Sequence, residues 1–324
     1  MQSITNTSIV MNQNKLKSRR FFFWGIILFC SFVFIVLFSS LGSPQNSEIS
    51  FSPIFQLLGK APQSVSRSVT KVLPIDSVDE GELGTYILSH YDDGSLKVLN
   101  EDKALDYLVS VGRKLERYKR KPFPYVLRLE QSELPNAMAL PGGVILVTSG
   151  LLKVLKSESE LVSVLAHEMG HVELSHCFDA VKYEILTKKI LNTDLGMMAD
   201  FARNFLIKHS FSKTQEDEAD SYGFQLLSNS EYDPTSLSRA FLRLNESSSK
   251  SYTNTSANPL RDYFSSHPPL QNRIEKFSSE AQIWWTSHRG QSRYIGVQNF
   301  IDKVDLSQKD YGSSERISFY KKDL

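Results

Sequence analysis

The chain has 324 residues, of which 37 are basic and 36 acidic; its net charge is +1 at pH 7, with 41% hydrophobic and 23% charged residues. That length and balance are ordinary for a globular protein of one sizeable domain or two small ones. They give no support to a nucleic-acid partner, which requires a clustered basic surface. Cys30 falls in an apolar run and Cys177 in a polar context far away, so no disulfide between them is expected and the redox compartment stays open. No repeat at a solenoid period is visible, which argues against a helical-repeat appendage.

Residues 1–20 are polar and close on Lys15, Lys17, Arg19 and Arg20. The next stretch, FFFWGIILFCSFVFIVLFSS over 21–40, carries no charge. At helical rise such a run spans about 30 Å, the hydrocarbon thickness of a bilayer. A transmembrane signal anchor over 21–42 is therefore predicted. The basic group precedes it and the next charge is Glu48, so 1–20 should be cytoplasmic and the rest extracytoplasmic. A cleaved signal peptide is the rival, although its apolar core is usually only about 7–15 residues. Lipidation at Cys30 is disfavoured because Ile27, Leu28 and Phe29 before it are too large. Residues 43–71 are rich in Ser, Pro and Gln and read as a linker.

A folded domain is expected over 72–285, followed by a C-terminal tail over 286–324. Helical spacing is predicted for 79–90 and for 102–120, the latter with Leu105, Leu108, Val111 and Leu115 on one stripe. Residues 124–131 alternate like a strand, and the β-branched run 142–150 is entered by a glycine pair. A helical stretch at 151–156 leads into a long apolar helix, and two further helices are expected within 178–208. Helices are also predicted over 214–227, 233–244 and 267–277, with a polar loop at 245–259.

The apolar helix contains His167-Glu168-Met169-Gly170-His171, an H-E-x-x-H pattern. Residues four apart lie about one turn apart on one helical face, so two imidazoles can share one metal while Glu168 faces its open position. A catalytic zinc takes three protein ligands. Glu216 on a following helix is the best third candidate, and Asp220, one turn on, can accept the free ring N–H of a ligating histidine. Asp217 and Glu218 point elsewhere by the 100° step and should be solvated. His176 lies about 140° round a continued helix from His171 and about 180° from His167, so it cannot share their metal and reads as a hydrogen-bonded structural residue. His90, His209 and His288 have no motif around them. His267, before two prolines, could present its imidazole to the open metal position or to a substrate oxyanion.

These residues resemble family 48 of the zinc metallopeptidases over about 75–278. The resemblance rests on PNAMALPGGVILVTSGLL at 135–152, HEMGHVELSH at 167–176, FSKTQEDEADSYG at 211–223 and SSHPPLQNRI at 265–274. Phe211 and Lys213 stand where the family has Tyr and Arg. The resemblance implies an α+β, mostly helical gluzincin domain with a small sheet, here preceded by one transmembrane helix. It implies one zinc per chain held by His167, His171 and Glu216. It also implies an edge strand, placed at Gly143, Val144, Ile145 and Leu146, that holds an extended peptide by β-augmentation. The single span sets the chain nearest the family's periplasmic branch, in which the His-Pro histidine caps the zinc.

The chemistry expected is peptide-bond hydrolysis with Glu168 as general base. His267 or Arg273 are candidates to stabilise the oxyanion. Substrates would be unfolded or misassembled envelope proteins. The rival reading is an envelope chaperone or assembly factor whose zinc site is latent or vestigial. A membrane-tethered scaffold without metal is a third.

Overall fold

The computed structural model describes residues 77–92, 103–182, 211–251, 267 and 270–319. The predicted anchor at 21–42, the linker at 43–71 and most of 178–208 lie outside these residues. No helix among the described residues is long and apolar enough to cross a membrane.

The described part is mostly helical with a small sheet. Helix α1 (Ser77–Asp92) and helix α2 (Lys103–Leu115) come first; of the expected stripe α2 buries Leu108, Val111 and Leu115, with Leu105 half-buried and Tyr107 buried beside them. Three strands follow: β1 (Val126–Glu130), β2 (Ala137–Leu140) and β3 (Val144–Thr148). Their order is β1-β3-β2, with β1 parallel and β2 antiparallel to β3. The β2–β3 turn runs through Gly142 and Gly143 at φ of 77° and 80°, a left-handed region that costs glycine little. Gly84 of α1 packs on this turn so closely that an added Cβ would fall 2.7 Å from Gly142 Cα.

This order corrects the placement of the substrate strand. Val144, Ile145 and Leu146 lie in β3, which is paired on both sides, and Gly143 lies in the turn before it. All five residues of β3 are buried, as a central strand covered on both faces requires. The edge that faces the core helix belongs to β2.

Helix α3 (Ser149–Val154) starts at Thr148, whose side chain accepts from Leu151 N–H. Helix α4 (Glu158–Glu173) is buried from Glu158 through Val172 and forms the centre of the core. Against it pack β2, helix α5 (Lys213–Ser228) and helix α6 (Ser236–Ser251). No Gly or Pro interrupts 236–251, and α6 runs on into the polar stretch expected to be a loop. Helix α7 (Leu270–Ser287) then packs on α6.

The stretch expected to be a tail at 286–324 is, through 319, built into the domain. Strand β4 (Ser292–Tyr294) pairs with β5 (Arg316–Ser318), and helix α8 (Val297–Asp302) lies between them. Tyr294, Asn299 and Phe300 are buried. The carbonyls of Gly296 and Ile295 accept from the first two N–H groups of α4, those of Glu158 and Ser159, at 2.9 Å each. Ser157 Oγ caps the third, from Glu160. The Glu158 carboxylate beside them is fully buried and accepts from Tyr107 and Tyr232 at 2.9 Å each. Lys114 lies 3.0 Å from Asp305 and 3.4 Å from Glu158 and balances charge there.

Candidate metal centre

The centre is made where α4 crosses α5 at close range. Gly170 faces Ala219, where an added Cβ would come 2.9 Å from Cα and O, and Gly223 faces the backbone of His167. Small residues at both contacts let the two backbones approach, so short carboxylate side chains on α5 reach the imidazoles of α4. A capping box closes the start of α5: Ser212 Oγ accepts from Gln215 N–H while the Gln215 side chain accepts from Ser212 N–H. That fixes Glu216 within the first turn, facing α4.

His167, His171, Glu216 and His267 are fully or almost fully buried, and one ligating atom of each lies within 4.8 Å of those of the others. The Nε2 atoms of His167 and His171 are 3.2 Å apart. His267 Nδ1 is 3.3 Å from His167 Nε2 and 2.8 Å from Glu216 Oε1. Glu216 Oε1 is 3.5 Å from His171 Nε2. Atoms about 2.0–2.1 Å from a tetrahedral ion stand about 3.3 Å from one another. The four donors are thus spaced as a zinc shell requires, and imidazoles with one carboxylate are a donor set zinc favours.

Glu168 sits beside this group without joining it. Its Oε2 accepts from Ala139 N–H of β2 at 2.8 Å, and its Oε1 has no hydrogen-bond partner among the described residues. His267 Nε2 is 3.6 Å from that free oxygen. Asp220 Oδ1 stands 2.8 Å from His167 Nδ1, on the side of the ring away from the donor cluster. Arg273 of α7 forks onto Asp220 through Nε and Nη2 at 2.7 Å each, and its Nη1 lies 2.9 Å from Glu216 Oε2. The same Nη1 donates to the His267 carbonyl at 3.3 Å.

Two sequence expectations need correcting. Arg273 is not available to an oxyanion, because its guanidinium is spent on buried carboxylates and the His267 carbonyl. Glu218 is not simply solvated: its Oε2 is 3.1 Å from His176 Nε2. Two contacts had no signal in the sequence reading. One is the Ala139 N–H that holds Glu168. The other is Phe211, stacked on His171 with centroids 4.0 Å apart and planes at 24°. His288, which has no motif around it, stacks on Trp284 and bonds to the Trp284 carbonyl. His209 and the His90 side chain lie outside the described residues.

Electrostatics suit the cluster to a cation. Burial pushes His171 down to about 4, so its ring is neutral and able to ligate at neutral pH. Burial alone would favour neutral carboxyls at Glu216 and Asp220, but their partners reverse that. His267, His171 and His167 hold Glu216 well below the usual carboxylate range, and His167 with Arg273 lowers Asp220. Cys177, also buried, is pushed well up and stays a thiol.

The mitochondrial metalloendopeptidase OMA1 of Schizosaccharomyces pombe is 30% identical over 166 residues, 48% of this chain and 48% of that protein. The beta-barrel assembly-enhancing protease of Escherichia coli is 28% identical over 179 residues, 49% of this chain and 36% of its own length. Metalloprotease YcaL of Escherichia coli is 28% identical over 150 residues, covering 43% and 56% respectively. The chain spans about half of the first of these proteins and about a third of the second. A family model described as peptidase family M48 matches residues 104–281, more than half of the chain and the whole of the α4–α5 crossing. The chain belongs to peptidase family M48, a family of zinc metallopeptidases.

Proposed function

We propose that this chain is a membrane-anchored zinc endopeptidase acting on unfolded or misassembled proteins outside the cytoplasm, and that its resting site is closed by His267. The observation that carries the reading is the convergence of four donors at zinc spacing with a partnerless carboxylate oxygen beside them. His167, His171 and Glu216 would hold one zinc per chain. Zinc held there would supply Lewis acidity toward a peptide carbonyl and bring the pKa of a water molecule down to about 7.

The chain's own residues do the rest. Glu168 Oε1 takes the proton of the attacking water and delivers it to the leaving amine. Ala139 N–H fixes the other oxygen, so the carboxylate keeps one defined direction. Asp220 accepts the His167 Nδ1 proton and thereby directs Nε2 to the metal. The outer edge of β2, rather than 143–146, is the place for an extended substrate, because Ala139 ties that edge to the general base.

With His267 counted, the donors number four, the number of a closed zinc site, so His267 would take the place that water needs. His267 is therefore a latch. His267→Ala should raise the rate of casein cleavage about tenfold or more, since the blocking donor is gone while three ligands remain. A fall in rate would instead make His267 an oxyanion donor, and an unchanged rate would remove both roles.

The membrane and compartment assignments rest on the uncharged run 21–42 behind its basic group, and on the enzyme from Escherichia coli named for β-barrel assembly. The closed donor set also favours a second reading, an envelope assembly factor with a latent zinc site. Purified full-length protein, incubated with unfolded casein with and without a zinc chelator, tests the main reading. Chelator-sensitive cleavage is the expected result. Zinc-loaded protein that cleaves nothing, even as His267→Ala, would leave the assembly factor standing.

A further inference from the structure

We propose that His176 and Glu218 form a relay that positions His171 for the metal, the counterpart of what Asp220 does alone for His167. This inference rests on the zinc reading above. Five residues past His171, His176 would lie about 140° round the helix if α4 continued. It does not continue. The chain leaves α4 after Glu173 and turns through Ser175 at φ 59°, a left-handed conformation unusual for a residue with a side chain. Lys121 Nζ pins the turn by donating to Ser175 Oγ at 2.6 Å, while its other contact is the buried Glu80 carboxylate, also at 2.6 Å.

This turn folds His176 back onto the far side of the His171 ring. The two Nδ1 atoms are 3.1 Å apart, and His176 Nε2 is 3.1 Å from Glu218 Oε2. The direction of each hydrogen bond follows from one constraint. His171 Nε2 belongs to the donor cluster, so its Nδ1 carries the proton and donates it. His176 Nδ1 must then accept, which places the His176 proton on Nε2, and Nε2 donates to the Glu218 carboxylate. Every atom has the partner its protonation requires, from Glu218 through both rings to the metal position. Phe211, stacked on His171, closes off one face of the ring, so rotation about the last side-chain bond meets resistance from two directions.

His176 and Glu218 are positioning residues. They touch neither substrate nor metal, and they act by holding the tautomer and the plane of His171. An outer partner of this kind typically carries 10- to 100-fold in metal affinity, on the order of magnitude seen at other zinc sites.

The test measures zinc affinity of the full-length protein by competition with a chromophoric chelator, independent of turnover. His176→Leu should weaken zinc about 10- to 100-fold. His176→Asn should stay within about threefold of the parent, because its Oδ1 stands where Nδ1 stood and accepts the same proton. Glu218→Ala, at a partly exposed position, should fall between them and folds even if the leucine variant does not. In cobalt-substituted protein, the exchangeable Nδ1 proton of His171 should remain visible in the parent and in His176→Asn. It should be lost to solvent exchange in His176→Leu, while the His167 proton persists. Equal affinities for the Leu and Asn variants, or losses that merely follow their melting temperatures, would overturn the relay and leave the peptidase reading intact. A parent protein that binds no zinc would overturn the zinc reading and the relay with it.

Discussion

Glu168→Gln should cut peptide-bond hydrolysis about 10²- to 10⁴-fold and leave zinc content unchanged. The two halves of this expectation come from the two oxygens of one side chain. Oε2 accepts from Ala139 N–H, and a glutamine oxygen can do the same, so the side chain stays where it is. Oε1 faces the donor cluster without a partner, and there an amide offers no lone pair basic enough to take a proton. In the proposed site other residues would hold the zinc, so it should stay. The check is a rate measured beside a metal analysis on the same sample. Retained turnover would mean that some other group moves the proton. Loss of zinc would mean that Glu168 belongs to the ligand set, contrary to the geometry.

Arg273→Met should destabilise the metal-free protein by about 3–5 kcal/mol, the usual cost of stranding a buried charge. For a domain of this size that is about 6–20 °C in Tm. Two buried carboxylates, on Asp220 and Glu216, depend on the same guanidinium, and a methionine fills its volume but answers neither. The loss should shrink when zinc is restored, because a cation at the donor cluster neutralises Glu216. Thermal melts of parent and variant, with chelator and then with zinc, read both numbers. A metal-free shift under about 2 °C would show that the carboxylates take up protons instead and that Arg273 is a packing residue.

How much of this was legible in the sequence depended on how local each relationship is. His167, Glu168 and His171 share a helical turn, and Glu216 with Asp220 shares another, so spacing alone could bring each set to one face. Strand order is not local. The run Val144–Thr148 reads as a strand at once, but whether it is an edge is settled by where β1 and β2 come to lie. Its unbroken apolar character was the available clue, since strands buried on both faces lack alternation. The 100° step correctly turned Glu218 away from Glu216, yet it could not supply the partner, because His176 stands past a turn that breaks α4, at the start of the next helical stretch. Arg273 was singled out but given the wrong target, since the carboxylates it serves lie 53 residues or more back along the chain. The C-terminal strands are three residues each and pair across 22 to 26 positions, too short and too distant for periodicity to show.

The clasp between the C-terminal segment and the start of α4 has a consequence for synthesis. The helix that bears both histidines leaves the ribosome well over a hundred residues before Ile295 and Gly296, whose carbonyls finish its N-terminus. Until they emerge, its first two amides lack the partners they have in the folded domain. A nascent chain that already holds His167, Glu168, His171, Glu216 and His267 therefore still has an unfinished helix start beneath them. Chain order thus makes the last two caps of the helix that bears His167 and His171 among the later contacts to form.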